Sequence, residues 1–183
     1  QRVFGKSNIF LEINSSLELR GSISISQNIS FRGDCILEDD VHIDNGSILE
    51  NTFVGKGSII RPYSFLNNSV FGENNIIGPF CFVRDNSNVG NLCIVGSHVE
   101  IARCNLGNNV RISHQAYIGD ASIGDNTIIG AGTVFCNFDK GKRQKAIIGK
   151  NVTVGSGSMI ISPVNIGYNS LVGAGSVINK DLI

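Results

Sequence analysis

Residues 77–101 read IGPFCFVRDNSNVGNLCIVGSHVEI, and an aliphatic side chain occupies every sixth position of this stretch. The same spacing extends in both directions, with a few single-residue slips. The large apolar positions of the frame are Leu37, Ile43, Val54, Ile60, Leu66, Phe71, Ile77, Val83, Val89, Val95, Ile101, Leu106, Ile112, Ile118, Ile123, Ile129, Ile148, Val154, Ile160, Ile166, Val172 and Ile178. The fold class can be predicted from this periodicity.

A period of six matches neither an α-helix nor the simple alternation of an amphipathic strand. It is typical of a short strand followed by a sharp corner, and three such units make a triangular coil of about 18 residues. Glycine, asparagine and aspartate follow the apolar positions, as expected for corners that need positive φ. The sequence therefore predicts an all-β fold, a left-handed parallel β-helix over residues 19–183, with residues 1–18 as a lead-in or linker.

The repeat is interrupted once, between Phe135 and Ile148. The intervening CNFDKGKRQKA carries too many polar and basic residues for a wall of the helix. We expect it to loop out as a structureless insertion, and such insertions are more often functional than decorative. The basic run from Lys140 to Lys145 suits the neutralisation of a phosphate, although a solvated loop explains this run equally well when it is taken alone.

The amino-acid composition limits the partners and the cellular compartment that we expect for this chain. With 15 basic and 15 acidic residues the chain has no net charge, which argues against nucleic acid or an anionic membrane as a partner. No apolar run is long enough to span a bilayer, and the start lacks the features of a secretory signal. The absence of an initiator methionine is compatible with a processed chain or a part of a longer one. Of the five cysteines, Cys35, Cys81 and Cys93 fall on small inward positions, which favours free thiols in a reducing cytoplasm.

The three histidines differ in their surroundings. His42, His98 and His114 are too far apart in the frame to meet at one zinc ion, so a metal-dependent carbonic anhydrase site is poorly matched. His42 and His98 have the character of ordinary surface or edge residues. His114 lies in RISHQAYIGD, just before the interruption, at an edge from which it can reach solvent. It is the histidine that we expect to carry chemistry.

Several segments share one frame between Ile77 and Lys180: IGPFCFVR, VGSHVE, SHQAYIGDASIGD, IGAGTVFCNFD, VGSGSMIISPVNIG and VGAGSVINKD. Together they resemble the acetyltransferase domain of the bifunctional N-acetylglucosamine-1-phosphate uridylyltransferase/glucosamine-1-phosphate N-acetyltransferase. The resemblance runs without gaps over this range and more loosely back to Leu19. It implies transfer of an acetyl group from acetyl-CoA to the amine of an amino-sugar 1-phosphate, without a metal, in a cytoplasmic homotrimer whose active sites lie between subunits.

The resemblance also implies roles for individual residues. His114 matches the general base that deprotonates the sugar amine, and Glu100 matches a carboxylate that orients this imidazole. Arg84 matches an arginine that binds the sugar phosphate. The other substrate-binding positions are Arg103, Tyr117, Asn137, Phe138 and Arg143. The acetyl-CoA positions are Ala131, Ser156, Ala174 and Lys180.

Four positions depart from the family pattern. Ala102 replaces a lysine, Ile128 replaces an asparagine, Phe138 replaces a tyrosine and Arg143 replaces a lysine. Arg103 and Arg143 supply positive charge in place of the family's lysines, but a guanidinium group does not reproduce the geometry of an ammonium group. Three hypotheses follow: an N-acetyltransferase for glucosamine 1-phosphate or another amino sugar such as galactosamine 1-phosphate, a non-catalytic trimerising module, or an acyltransferase for an amino acid or antibiotic. Nothing near Gln1 resembles the nucleotide loop of the uridylyltransferase half.

Overall fold

The structure, a computed structural model, describes residues 8–183, and the strands within them form a parallel β-helix. Face 1 holds ten strands: Ile9–Leu11, Ile29–Arg32, Ile48–Glu50, Phe65–Asn67, Phe82–Arg84, Glu100–Ala102, Tyr117–Gly119, Val134–Cys136, Met159–Ile161 and Val177–Ile178. Face 2 holds nine: Ser16–Leu19, Asp34–Leu37, Phe53–Val54, Ser69–Phe71, Ser87–Val89, Asn105–Leu106, Ala121–Ile123, Ala146–Ile148 and Val164–Ile166. Face 3 also holds nine: Ser24–Ile25, His42–Ile43, Ile59–Ile60, Ile76–Ile77, Ile94–Ser97, Arg111–His114, Ile128–Ile129, Thr153–Val154 and Leu171–Val172. The predicted repeat architecture is confirmed.

Apolar side chains stacked along the axis form the core. The six-residue frame points inward as predicted, and all of its members are buried except the last, Ile178, which is partly buried. The inward cysteines Cys35, Cys81 and Cys93 are buried free thiols, again as predicted. Burial raises the pKa of Cys81 to about 11, so this thiol stays protonated at neutral pH. No helix in residues 8–183 is long and apolar enough to span a bilayer.

The β-helix begins earlier than the predicted boundary at residue 19. Strands Ile9–Leu11 and Ser16–Leu19 pair in parallel with the strands of the next coil, so residues 8–18 belong to the first coil rather than to a linker. Because no described coil lies below it, this coil leaves Ile9, Phe10 and Leu11 exposed, and its apolar residues do not show the burial pattern of the others. Residues 1–7 of the predicted lead-in lie outside the described residues.

Residues in the left-handed conformation make the corners. Between faces 2 and 3 the amides of Asn109, Asn126, Asn151 and Asn169 bond to one another from coil to coil at 2.9–3.2 Å, and all four residues have φ of 55–58°. Asparagine tolerates this conformation better than most residues with a side chain. These regular corners fix the register, so residues about 18 apart lie directly above one another.

The interruption forms a short antiparallel hairpin rather than a structureless loop. Its strands are Phe138–Asp139 and Lys142–Arg143. Both residues of the connecting turn have positive φ, 45° at Lys140 and 78° at Gly141, as a type I′ turn requires. The four strand residues are exposed, so the hairpin projects from the wall as expected.

Candidate functional site

His114 ends a strand of face 3 at the corner that leads into face 1. Its imidazole Nδ1 lies 3.4 Å from the Ser97 hydroxyl of the coil below. The ring is exposed, and it lines a cleft of about 330 Å³ together with Arg61, Ile76, Gly78, Pro79, Ile94, Gly96, Ser97 and Ser113. The tautomer in which Nδ1–H donates to Ser97 leaves Nε2 as a free base. The position thus meets the two requirements of a general base, access and orientation.

The predicted acetyl-CoA residues Ala131, Ser156 and Ala174 form a column directly above His114. Each is followed by a left-handed glycine, and backbone bonds join neighbouring corners: Gly157 N–H to the carbonyl of Ala131 and Gly175 N–H to the carbonyl of Ser156, both at 2.8 Å. We call this set the small-residue column. A Cβ atom added at Gly157 or Gly175 would meet nothing within 4 Å, so the surface is flat and open. Lys180 lies elsewhere, beyond the last strand of face 1.

A second group of predicted residues meets across face 1 and at its corner with face 2, because Glu100 begins a strand of face 1 and Arg84 ends the strand of the coil below. The Glu100 carboxylate accepts two bonds from Arg84, at 3.0 Å from Nε and 2.7 Å from Nη2. Glu100 therefore pairs with Arg84 in this structure, whereas the hydrogen-bond partner of the His114 ring is Ser97. The expected orientation of the imidazole by Glu100 is not formed in the single chain.

Arg103 joins this second group by donating hydrogen bonds to two carboxylates. Its Nε donates to Asp120 at 2.7 Å, and its Nη1 donates to Asp85 at 2.6 Å. Asp85 also bonds to Arg84, so it bridges the two guanidinium groups. We call Arg84, Asp85, Glu100, Arg103 and Asp120 the charged corner. It holds three carboxylates and two guanidinium groups, a net charge of −1.

The predicted sugar contacts Tyr117 and Asn137 attach to the charged corner. The Asn137 amide donates to Asp120 at 2.5 Å and lies 3.4 Å from the Tyr117 hydroxyl. Partial burial raises the pKa of Asp120, but hydrogen bonds from Arg103 and Asn137 outweigh it and hold the pKa below its ordinary value. Gly119 makes this cluster possible, because a Cβ there would lie 2.4 Å from the Asn137 amide and 2.6 Å from the Tyr117 hydroxyl.

The remaining substituted positions lie apart from these contacts. Phe138 and Arg143 stand on the exposed hairpin, opposite each other in its register. Ala102 is fully buried under face 1, and Ile128 projects from face 3, next in its row after Arg111. Residues Asp85, Ser97 and Arg61 were not among the predicted site residues. The signal for Asp85 was its spacing of 18 residues from Arg103, which in turn lies 17 residues before Asp120; each step is one coil.

The other histidines occupy structural positions. His98 stacks on Phe80, which stacks on Tyr63, with ring centroids 5.3 and 5.4 Å apart. Nε2 of His42 lies 2.7 Å from the carboxylate of Asp44. Within residues 8–183 no group of three metal-ligating side chains comes together.

Comparisons with known proteins place this geometry in a family. Residues 103–137 match the family described as "Bacterial transferase hexapeptide (six repeats)", and residues 145–180 match "Hexapeptide repeat of succinyl-transferase". The chain is 39% identical over 171 residues to the bifunctional protein GlmU of Acinetobacter baumannii, covering 93% of this chain and 38% of the relative. It is 37% identical to GlmU of Baumannia cicadellinicola, covering 90% of this chain and 36% of the relative. The chain thus spans less than two fifths of the length of these curated relatives.

A solved structure shares the fold. The UDP-N-acetylglucosamine acyltransferase from Campylobacter jejuni superposes with a TM-score of 0.69 at 20% identity, over 100% of this chain and 69% of that one. At this identity the likeness concerns the fold alone. Taken with the sequence relatives, it shows that the chain belongs to the hexapeptide-repeat family, as a domain homologous to the C-terminal acetyltransferase part of the bifunctional protein GlmU.

Proposed function

We propose that this chain transfers an acetyl group from acetyl-CoA to the amine of an amino-sugar 1-phosphate, with glucosamine 1-phosphate as the first acceptor to test. The product would serve synthesis of the nucleotide sugar UDP-N-acetylglucosamine in the cytoplasm. The observation that carries the proposal is the position of His114, at the foot of the small-residue column and the head of an open cleft. A donor lying along the column and an acceptor in the cleft would meet at its imidazole.

The chemistry needs one base and no covalent enzyme intermediate. The sugar amine attacks the carbonyl carbon of the acetyl thioester while Nε2 of His114 takes a proton from the nitrogen. The C–N bond forms, the C–S bond of the tetrahedral intermediate breaks, and the imidazolium returns the proton to the departing thiolate of coenzyme A. Backbone N–H groups at the corners are suitable donors to the oxyanion. Ser97 orients the imidazole from the coil below.

The small residues of the column support acetyl-CoA as the donor. Ala131, Ser156 and Ala174 leave the wall without a protruding side chain over three coils, or about 10 Å between the first and the last at the spacing of adjacent strands. A pantetheine chain can lie flat there and use the backbone for hydrogen bonds. Lys180 is proposed as a contact for the phosphates of coenzyme A.

We propose a homotrimer in which the hairpin reaches a neighbouring subunit. Phe138 at the hairpin is 68% exposed in the single chain, an unusual position for a large aromatic side chain unless something covers it. In the trimer the hairpin would carry Phe138 and Arg143 to the active site of that neighbour, and it would hold Asn137 at the wall. Sedimentation equilibrium tests the assembly.

The test of function is release of free thiol from acetyl-CoA, with glucosamine 1-phosphate, galactosamine 1-phosphate and unphosphorylated glucosamine as acceptors. We expect release with a 1-phosphate and much less with glucosamine. Thiol release that does not depend on the phosphate would favour a different acyl acceptor. No release with any acceptor would favour the second candidate, a non-catalytic trimerising module, which the loss of the family lysine at Ala102 makes worth testing.

A further inference from the structure

Two aromatic side chains stand on the outer side of face 1, next to the charged corner. Phe65 and Phe82 occupy the same outward row on neighbouring strands, and their rings stack with 5.0 Å between centroids and planes 10° apart. Both are partly exposed, whereas Leu66 and Val83 fill the inward positions of the same strands. Packing of the core therefore does not explain why two large aromatic residues lie on this wall.

The Phe82 ring contacts the guanidinium of Arg84. The two residues are two positions apart on one strand, so their side chains project from the same side of face 1. Cζ of Arg84 lies over the ring at 5.4 Å from its centroid, a position in which the cation is attracted to the negative face of the ring. The stack on Phe65 limits how far the Phe82 ring can tilt. The ring thus stabilises the cation without supplying a lone-pair acceptor.

Carboxylates hold the same guanidinium from other directions. Glu100, which pairs with Phe82 in the register, accepts hydrogen bonds from Nε at 3.0 Å and from Nη2 at 2.7 Å, and Asp85 accepts one from Nη1. An arginine side chain has five N–H groups. Its bonds to residues 8–183 use three of them and leave one N–H on each Nη. Two N–H groups of one guanidinium can bind two oxygens of a phosphate.

We propose that Phe82 is a positioning residue for the acceptor phosphate, because its ring holds the Arg84 guanidinium in the orientation that leaves these two N–H groups to the phosphate. Both bonds from Arg84 to Glu100 end on Oε1, so Oε2 is a competing acceptor. Without the ring the guanidinium would turn into a pair with both carboxylate oxygens. That pair would use an N–H group that the phosphate needs.

This assignment rests on the proposed function for the identity of the acceptor and on the role of Arg84 that the resemblance implies. Arg84 lies across face 1 from His114 and two coils below the coil of that histidine. This separation suits an acceptor held between Arg84 of one subunit and His114 of another in the proposed trimer. The orientation of the guanidinium by Phe82 takes place within one subunit.

Steady-state kinetics of Phe82→Leu test the assignment, since leucine keeps an apolar side chain and removes the ring. We expect KM for glucosamine 1-phosphate to rise about 2- to 30-fold, the range of a cation–π contact expressed as a change in affinity. kcat and KM for acetyl-CoA should be unchanged. Phe82→Tyr keeps the ring and should behave as the wild type. Phe53→Leu is the matched control, because Phe53 is a partly exposed aromatic residue of face 2 outside the charged corner.

A double-mutant cycle shows whether Phe82 acts through Arg84. The affinity for glucosamine 1-phosphate is measured by isothermal titration calorimetry, without acetyl-CoA, for the wild type, Phe82→Leu, Arg84→Ala and the double variant. We expect Phe82→Leu to weaken binding when Arg84 is present and to add nothing when it is replaced. An equal loss in both backgrounds would mean that the ring contacts the sugar itself, and it would overturn the positioning role.

The same titrations separate this assignment from the proposed function. Weaker binding by Phe82→Leu, but not by Phe53→Leu, supports the positioning role even if no acceptor is acetylated, and the proposed function then fails alone. Wild-type affinity in Phe82→Leu overturns the assignment whatever the turnover, as does wild-type affinity in Arg84→Ala. Thermal unfolding verifies that each variant is folded, and Phe82→Met takes the place of Phe82→Leu if the leucine variant is not.

Discussion

The two edges of face 1 are built on the same corner geometry but carry opposite electrostatics. At the edge with face 2, the charged corner satisfies each carboxylate with a guanidinium from the same or an adjacent coil. At the edge with face 3, His114 sits between small residues above and an open cleft lined by Arg61 below. Polar residues gathered at one place are therefore not by themselves a reactive site. The side chains of the charged corner bond to one another. At the other edge, Nε2 of His114 remains available to a ligand.

Among the substitutions proposed here, His114→Ala should have the largest effect on activity. We expect kcat for acetyl transfer to fall about 10²- to 10⁴-fold, the usual contribution of a general base, while the melting temperature stays within error because the ring packs against little. Thiol release measures kcat, and thermal unfolding measures the melting temperature. His42→Ala is the control, since it removes a partly exposed imidazole of face 3 that lies four coils below His114. Retained turnover in His114→Ala would remove His114 from the mechanism.

A smaller effect is expected from Ala131→Trp, which places a large side chain on the small-residue column. We expect KM for acetyl-CoA to rise about tenfold or more as the pantetheine is displaced, with KM for the sugar phosphate much less affected. Initial rates over a range of acetyl-CoA concentrations measure the change. Ile147→Trp provides the control, because Ile147 is an exposed outward residue of face 2, away from this edge. An unchanged KM for acetyl-CoA would place the donor elsewhere.

Much of the fold could be predicted from the sequence. The six-residue period predicts the core and the walls because each inward side chain repeats at a fixed interval along the chain. The period did not predict the strand Ile9–Leu11, because its apolar residues have no described coil beneath them and are exposed. It also missed the hairpin, since the turn uses Lys140, a residue that rarely signals a left-handed conformation.

For the site, the sequence singled out His114 because of its local motif. The charged corner was harder, since its ion pairs join residues on adjacent coils, 16 to 18 positions apart, and only the register brings them together. Arg61 was harder still. Nothing in its neighbourhood along the chain differs from a solvated surface arginine, and only the fold places it in a cleft with a residue 53 positions later.

Substitution of Asp120 in the charged corner should change the stability of the fold, whereas substitutions at the His114 edge should change activity. Asp120→Asn keeps the shape of the side chain but removes the charge that Arg103 contacts through Nε and Nη2. We expect the free energy of unfolding to fall by about 1–2 kcal/mol, as for loss of a hydrogen bond to a charged group in a partly exposed place. Urea denaturation measures it. Asp125→Asn is the control, because the exposed Lys150 that it binds should make its effect much smaller.

The smallest expected effect is the pH dependence of that same stability. Hydrogen bonds from Arg103 and Asn137 hold the pKa of Asp120 below the ordinary aspartate value, so the folded chain binds this proton less readily than the unfolded chain does. Its contribution is therefore fully present above the ordinary aspartate range and is lost as the pH falls through the lowered pKa. The wild type should lose more unfolding free energy than Asp120→Asn between pH 6 and pH 3, since the variant has no such proton to bind. Parallel urea titrations at both pH values decide this, and identical losses in the two proteins would mean that the charge of Asp120 adds nothing to the charged corner.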